Sequence, residues 1–92
     1  MNKLVAIVTQ EECAEVIQAI SKCFRFGLSE QWNGYTNQQA LEEEIGQLKF
    51  MIDLLCYEWA LDEESIAKAY DSKPQAYNKY KPYYEKLGSL LS

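Results

Sequence analysis

The sequence predicts an all-α fold: a helical bundle with two long and two shorter helices, completed by oligomerisation. Three observations lead there. Apolar residues step by threes and fours through residues 2–26 and again through residues 37–61, the period of a helix. Gly27, Asp62 and Pro74 stand where such segments should end or begin. A chain of 92 residues with an apolar fraction of 48% makes one domain, 1–92, whose limited core a second subunit would enlarge.

The first helix is expected over residues 2–26, with Val5, Val8, Glu12, Val16, Ala19 and Cys23 on one stripe. A later start, with Thr9 as N-cap and Glu12 closing a capping box, is the other reading. The stripe runs unbroken through Thr9, which favours the single long helix. Gly27 is a natural residue just past its end. Residues 28–36 read as a polar loop carrying Trp32, Gly34 and Tyr35.

Thr36 or Asn37 then caps the second long helix, which should reach residue 61 with Leu41, Ile45, Leu48, Ile52, Leu55 and Trp59 inward. At the helical rise this element spans roughly 35 Å. Gly46 is its weak point and suggests close backbone packing, since an interior Gly costs about 1 kcal/mol relative to Ala. Asp62 opens a short helix over residues 63–70, and residues 71–73 break it. Pro74 suits the first turn of a last helix over residues 74–87, which Pro82 should kink.

Charge and composition narrow the function. The net charge is −5, from 14 acidic and 9 basic residues, which argues against a nucleic-acid polymer as partner. The three cysteines, Cys13, Cys23 and Cys56, lack metal or disulfide spacing. Cys13 and Cys23 read as small buried hydrophobes in a reducing compartment. With no histidine, the commonest general base and zinc ligand is missing. Hydrolytic chemistry would lean on carboxylates and a hard metal. The apolar run at residues 4–8 is too short for a signal peptide, and no stretch approaches the roughly 20 residues of a membrane span. A cytoplasmic protein without a membrane partner is expected.

Two acidic motifs stand out against this background: Glu11, Glu12 and Glu15, then Glu43, Glu44 and Gln47. Acid-rich helical stretches are ordinarily solvated faces. Here, however, the acids fall on or beside the apolar stripes, where a carboxylate needs compensation. Residues three or four apart share a helix face, so Glu12 with Glu15, and Glu44 or Glu43 with Gln47, point together. If the long helices pack antiparallel, the sets converge as in carboxylate metal sites of helix bundles. Mg²⁺ is the natural occupant, with Mn²⁺ as the alternative.

These residues resemble a known family. Residues 11–27, Glu-Glu-Cys-Ala-Glu-Val-Ile-Gln-Ala-Ile-Ser-Lys-Cys-Phe-Arg-Phe-Gly, are similar to the first motif of the MazG-like all-α nucleoside triphosphate pyrophosphohydrolases. Residues 41–48, Leu-Glu-Glu-Glu-Ile-Gly-Gln-Leu, are similar to the second. The resemblance covers residues 1–60 well and the rest loosely. It implies Mg²⁺-dependent cleavage of a nucleotide to its monophosphate and pyrophosphate. It also implies metal ligands at Glu12, Glu15, Glu44 and Gln47, with Glu12 and Glu15 essential to catalysis. Gln47 departs from the family pattern, which has Asp there. An amide offers one neutral oxygen and no charge. Glu43, one turn earlier, is the substitute ligand. The chain then reads either as an enzyme with an altered metal shell or as a nucleotide binder that has lost turnover. The compact size fits a stand-alone housekeeping or phage version.

Lys22 and Arg25 end the first helix, where cations favour the helix dipole. The resemblance adds phosphate contact for both, and nucleotide contact for a late Lys and Asn, matched loosely by Lys73 and Asn78. Tyr77, Tyr80 and Tyr84 follow helical spacing and read as a packing or interface face, while Trp32 and Tyr35 read first as core or interface packing, with stacking on a base as the alternative. Two long and two short helices leave apolar surface uncovered, so a homo-oligomer, dimer or tetramer, is expected; the family assembles this way too.

Overall fold

The computed structural model describes residues 1–91, with side chains to residue 89. It is all-α apart from one small hairpin. In chain order it comprises α1 (Lys3–Phe26), β1 (Gln31–Trp32), β2 (Tyr35–Thr36), α2 (Asn37–Glu58) and α3 (Glu63–Leu91). Two compact units divide it, Met1–Leu61 and Asp62–Ser92; Ser92 itself lies outside the described residues. No helix among the described residues is long and apolar enough to cross a membrane.

The single long first helix is what forms. Asn2 caps α1, its side-chain oxygen accepting from the Leu4 N–H at 3.1 Å and the Val5 N–H at 3.3 Å. Gly27 ends it at φ 93°, a conformation that favours glycine, and its N–H donates to the Cys23 carbonyl at 2.9 Å. Thr36 caps α2 in a reciprocal capping box with Gln39, at 3.0 Å and 2.9 Å. The end of α2 closes in a Schellman arrangement: Leu61 N–H donates to the Cys56 carbonyl at 3.0 Å and Ala60 N–H to the Tyr57 carbonyl at 3.2 Å. Ala60, not glycine, takes the left-handed position there, at φ 48°.

Three cross-helix bonds fix α1 antiparallel to α2. Trp59 Nε1–H donates to the Asn2 carbonyl at 3.0 Å. The Thr9 hydroxyl lies 2.7 Å from the Val5 carbonyl and 3.3 Å from the Met51 carbonyl, and Cys23 Sγ lies 3.4 Å from the Asn37 carbonyl. As one helix ascends in number, the other descends. Between them sit buried Val5, Thr9 and Ala19, with Val8, Glu12, Val16 and Cys23 half-buried on the same stripe of α1. Cys13 is exposed, on the outer side of α1, and not the buried residue its composition suggested.

On α2 the inward face is shifted by part of a turn. Leu41, Leu48, Leu55 and Trp59 are partly buried as expected, but Ile45 and Ile52 are exposed and Glu44 and Met51 take the inner positions. Gly46 does not mark close packing: a Cβ there would meet nothing within 4 Å.

The loop at residues 28–36 holds a two-stranded antiparallel hairpin pairing Gln31 with Thr36 and Trp32 with Tyr35. Its turn is Asn33-Gly34, at φ 51° and φ 84°. Positive φ at both central residues is the type I′ geometry that suits strand twist.

In the second unit, the two short helices expected after Asp62 are one continuous helix, α3, with Pro74 and Pro82 inside it. Asp62 starts it, accepting from the Glu64 N–H at 3.0 Å and the Ser65 hydroxyl at 2.9 Å. Each proline removes one ladder bond but leaves the turns on either side intact. The described side chains of α3 are exposed, so carbonyls freed by the prolines can be solvated.

Candidate metal and phosphate site

Antiparallel packing of α1 on α2 brings the two acidic motifs to the same level. Glu12 and Glu44 are half-buried on the facing stripes, while Glu15, Glu43 and Gln47 are exposed. One carboxylate oxygen of each stripe residue, Glu12 Oε2 and Glu44 Oε2, is out of water without a hydrogen-bond partner. Such an oxygen forfeits hydration and gains nothing in return. The Glu44 carboxyl is pushed above the usual carboxylate range, first by loss of water and then by the charges of Glu15, Glu12 and Glu43.

The acids border two separate hollows. A cavity of about 80 Å³ is lined by Glu15, Gln18, Ala19, Lys22, Ala40 and Glu44 together with Asn37. An open groove of about 510 Å³ is lined by Glu12, Glu42, Glu43, Gly46, Gln47 and Phe50 with Met51. Of the expected ligand set, Glu15 and Glu44 therefore share the cavity, while Glu12, Glu43 and Gln47 share the groove. Glu12 and Glu15 both act electrostatically on Glu44. Among the described residues, no group of three or more Cys, Asp or Glu is gathered tightly enough to hold a metal ion as the side chains stand. The chemistry of the set nevertheless fits a hard divalent cation. Its donors are oxygens, two lack any partner, and like charges crowd together.

Lys22 lines the cavity beside Glu15 and Glu44. It also lines a third hollow of about 270 Å³, with Phe26, Glu30, Gln31, Trp32 and Asn37. Lys22 and Asn37 thus join the acidic cavity to an aromatic-walled pocket. Arg25 lines none of these three hollows; its guanidinium lies 5.2 Å from the Phe26 ring centroid. Tyr35 is exposed on β2. Lys73 and Asn78 are exposed residues of α3, in the second unit.

Asn37 is the site residue that sequence reasoning reduced to an alternative cap. It is 7% exposed. Because Thr36 does the capping, the Asn37 side chain is free to donate to the Gly27 carbonyl at 2.9 Å, while its own N–H donates to the Glu30 carbonyl at 3.0 Å. The residue therefore ties the end of α1 and the hairpin to the start of α2, and it fixes the wall shared by the two hollows. The hairpin that carries Gln31 and Trp32 into the pocket was announced by the Asn33-Gly34 dipeptide, the strongest short-range hairpin signal.

No family model matches this chain, and no curated protein or solved structure matches it.

Proposed function

We propose that the chain is a Mg²⁺-dependent nucleotide pyrophosphohydrolase, converting a nucleoside triphosphate or related nucleotide to its monophosphate and pyrophosphate. The observation that carries this reading is the pair of partnerless carboxylate oxygens on Glu12 and Glu44. Two buried anionic oxygens on facing helices are costly without a cation, and a cation relieves both. The motif resemblance supplies the substrate class.

In this reading Glu12, Glu15 and Glu44 hold the ion, with Gln47 or Glu43 completing its shell; Mn²⁺ is the alternative metal. When bound there, such an ion would supply positive charge for phosphoryl oxygens and would make hydroxide available at neutral pH. Lys22, between the acidic cavity and the aromatic pocket, neutralises phosphate charge that the ion leaves uncovered. Trp32 and Phe26 offer the base an apolar wall, and Gln31 and Glu30 offer polar contacts at its edge. Asn37 holds that wall in position through its bond to Gly27.

Arg25, Lys73 and Asn78 enter only as outer phosphate or nucleotide contacts. Exposed Ile17, Ile20 and Phe24 on α1 fit assembly into a dimer or tetramer, since a monomer rarely leaves so much contiguous apolar surface open. Unpaired cysteines fit a reducing, cytoplasmic setting.

The second reading is a nucleotide-binding protein of the same fold that has lost turnover. It is favoured by Gln47, an amide where the resembled motif has a carboxylate.

A panel of ribo- and deoxyribonucleoside triphosphates with Mg²⁺, followed for pyrophosphate release, separates the two. Turnover abolished by Glu12→Ala and by Glu15→Ala supports the enzyme. Nucleotide-dependent thermal stabilisation without product supports the binder. Absence of both effects with every nucleotide refutes the site.

A further inference from the structure

The described side chains of α3 are exposed, yet the helix carries a seven-residue repeat of large apolar groups. Tyr70, Tyr77 and Tyr84 recur at one heptad position, and Ile66, Tyr80 and Leu87 at a second, with Lys73 filling the gap in the second series. Together they form one seam of the kind that pairs helices. Their exposure runs from 42% at Leu87 to 79% at Tyr70.

Helices in proteins draw most of their stability from packing an apolar face, which the exposed seam of α3 has not done. Two interior prolines, each costing about 3 kcal/mol, add to the need for a packing partner. Pro82 lies on the face away from the seam, where its missing N–H does not disturb it.

The charges along α3 are segregated. Residues 62–71 hold Asp62, Glu63, Glu64 and Asp71 against Lys68 alone; residues 72–89 hold Lys73, Lys79, Lys81 and Lys86 against Glu85 alone. A second α3 laid parallel would set acid beside acid and base beside base. Laid antiparallel, it sets each acidic half beside a basic one.

We propose that two copies of this chain pair antiparallel through the tyrosine seam of α3. Pairing centred near Gln75 sets the two heptad series against each other from Ile66 to Tyr84. Ile66 falls opposite Tyr84 of the partner subunit, and Tyr70 opposite Tyr80 of the partner subunit. Lys73 falls opposite Tyr77 of the partner subunit, where a cation can rest over a ring. The pairing is independent of the metal-site reading.

Light scattering on the full chain tests it. The expected mass is an even multiple of the 10.7 kDa chain, halved in Tyr77→Glu/Tyr84→Glu. A monomeric wild type, or a double variant of unchanged mass, overturns the proposal. A cross-linking pair tests the orientation without depending on the stability of that variant. With a short bis-maleimide, and the wild type as control for the native cysteines, Ala76→Cys should give a covalent dimer and Tyr84→Cys should not. The reverse pattern overturns the antiparallel arrangement.

Discussion

Glu12 on α1 and Glu44 on α2 each keep one carboxylate oxygen out of water and unbonded, and the charge of Glu12 helps to raise the pKa of Glu44. Both lie on the faces by which the two helices pack. Without a cation this is a stability defect placed in the middle of the helix pair.

Removing the charge at Glu44 should therefore stabilise the metal-free protein. A carboxyl whose folded pKa is raised contributes stability below its unfolded pKa and loses it as pH rises through the folded value. At neutral pH the native protein has already lost it. Glu44→Gln should melt higher than the wild type at pH 7 without metal, and the difference should shrink below about pH 4, where the wild-type carboxyl is protonated in both states. Melting curves in chelator across that range check this. A lower melting point for Glu44→Gln at pH 7 would show that the carboxylate is already satisfied.

Gly46 inside α2 and Ala60 just past its end form a mismatched pair. Gly46 sits in the helix interior with open space around its missing Cβ, and Ala60 sits at a left-handed position where glycine is favoured. Gly46→Ala should raise stability by about 1 kcal/mol through helix propensity. Ala60→Gly should gain a similar amount, about 1 kcal/mol, by relieving the left-handed strain. Chemical denaturation of each variant is the measurement. Destabilisation by Gly46→Ala would mean that its face is covered after all.

The start of α3 should be acid-sensitive. Hydrogen bonds from the Ser65 hydroxyl and the Glu64 N–H hold the Asp62 carboxyl below its ordinary pKa. A lowered folded pKa gives stability that is present above the unfolded value and lost as pH falls through the folded one. Helicity should decline on that acid limb in the wild type. In Asp62→Asn, which keeps a capping oxygen but cannot titrate, circular dichroism should show a smaller decline. Equal declines in the two proteins would dissociate the cap from the acid response.

These relationships show where the sequence was legible. The stripe Val5, Val8, Glu12, Val16, Ala19 and Cys23 was readable because its period is unbroken and its members are inward without exception. On α2, hydrophobicity misled: it favoured Ile45 and Ile52 over Glu44 and Met51, since a stripe of best apolar residues assumes that the core wants no carboxylate. The very residue that defines the site displaced the stripe. On α3, the two prolines implied breaks, but an exposed helix can leave the freed carbonyls to water and continue. The cavity wall at Asn37 depends on contacts across the hairpin, which no local pattern encodes.

In the proposed reading, Gln47 separates turnover from binding alone. It lines the groove with Glu12 and Glu43, one turn beyond Glu43 on the same helix. Gln47→Asp adds an anionic oxygen there and should raise pyrophosphate release at least tenfold, or create it where the wild type only binds; each tenfold change is about 1.4 kcal/mol of barrier. Steady-state kinetics at saturating Mg²⁺ provide the comparison. An unchanged or lower rate would place Gln47 outside the reacting shell.

The most direct test of the carboxylate site needs no nucleotide. Thermal melting with and without millimolar Mg²⁺ should show a higher transition for the wild type, because an ion that binds only the folded state must stabilise it. The shift should disappear in Glu12→Gln/Glu44→Gln, whose metal-free melting point should already exceed that of the wild type. A wild-type transition unmoved by Mg²⁺ or Mn²⁺, or an equal shift in the double variant, would contradict the metal site.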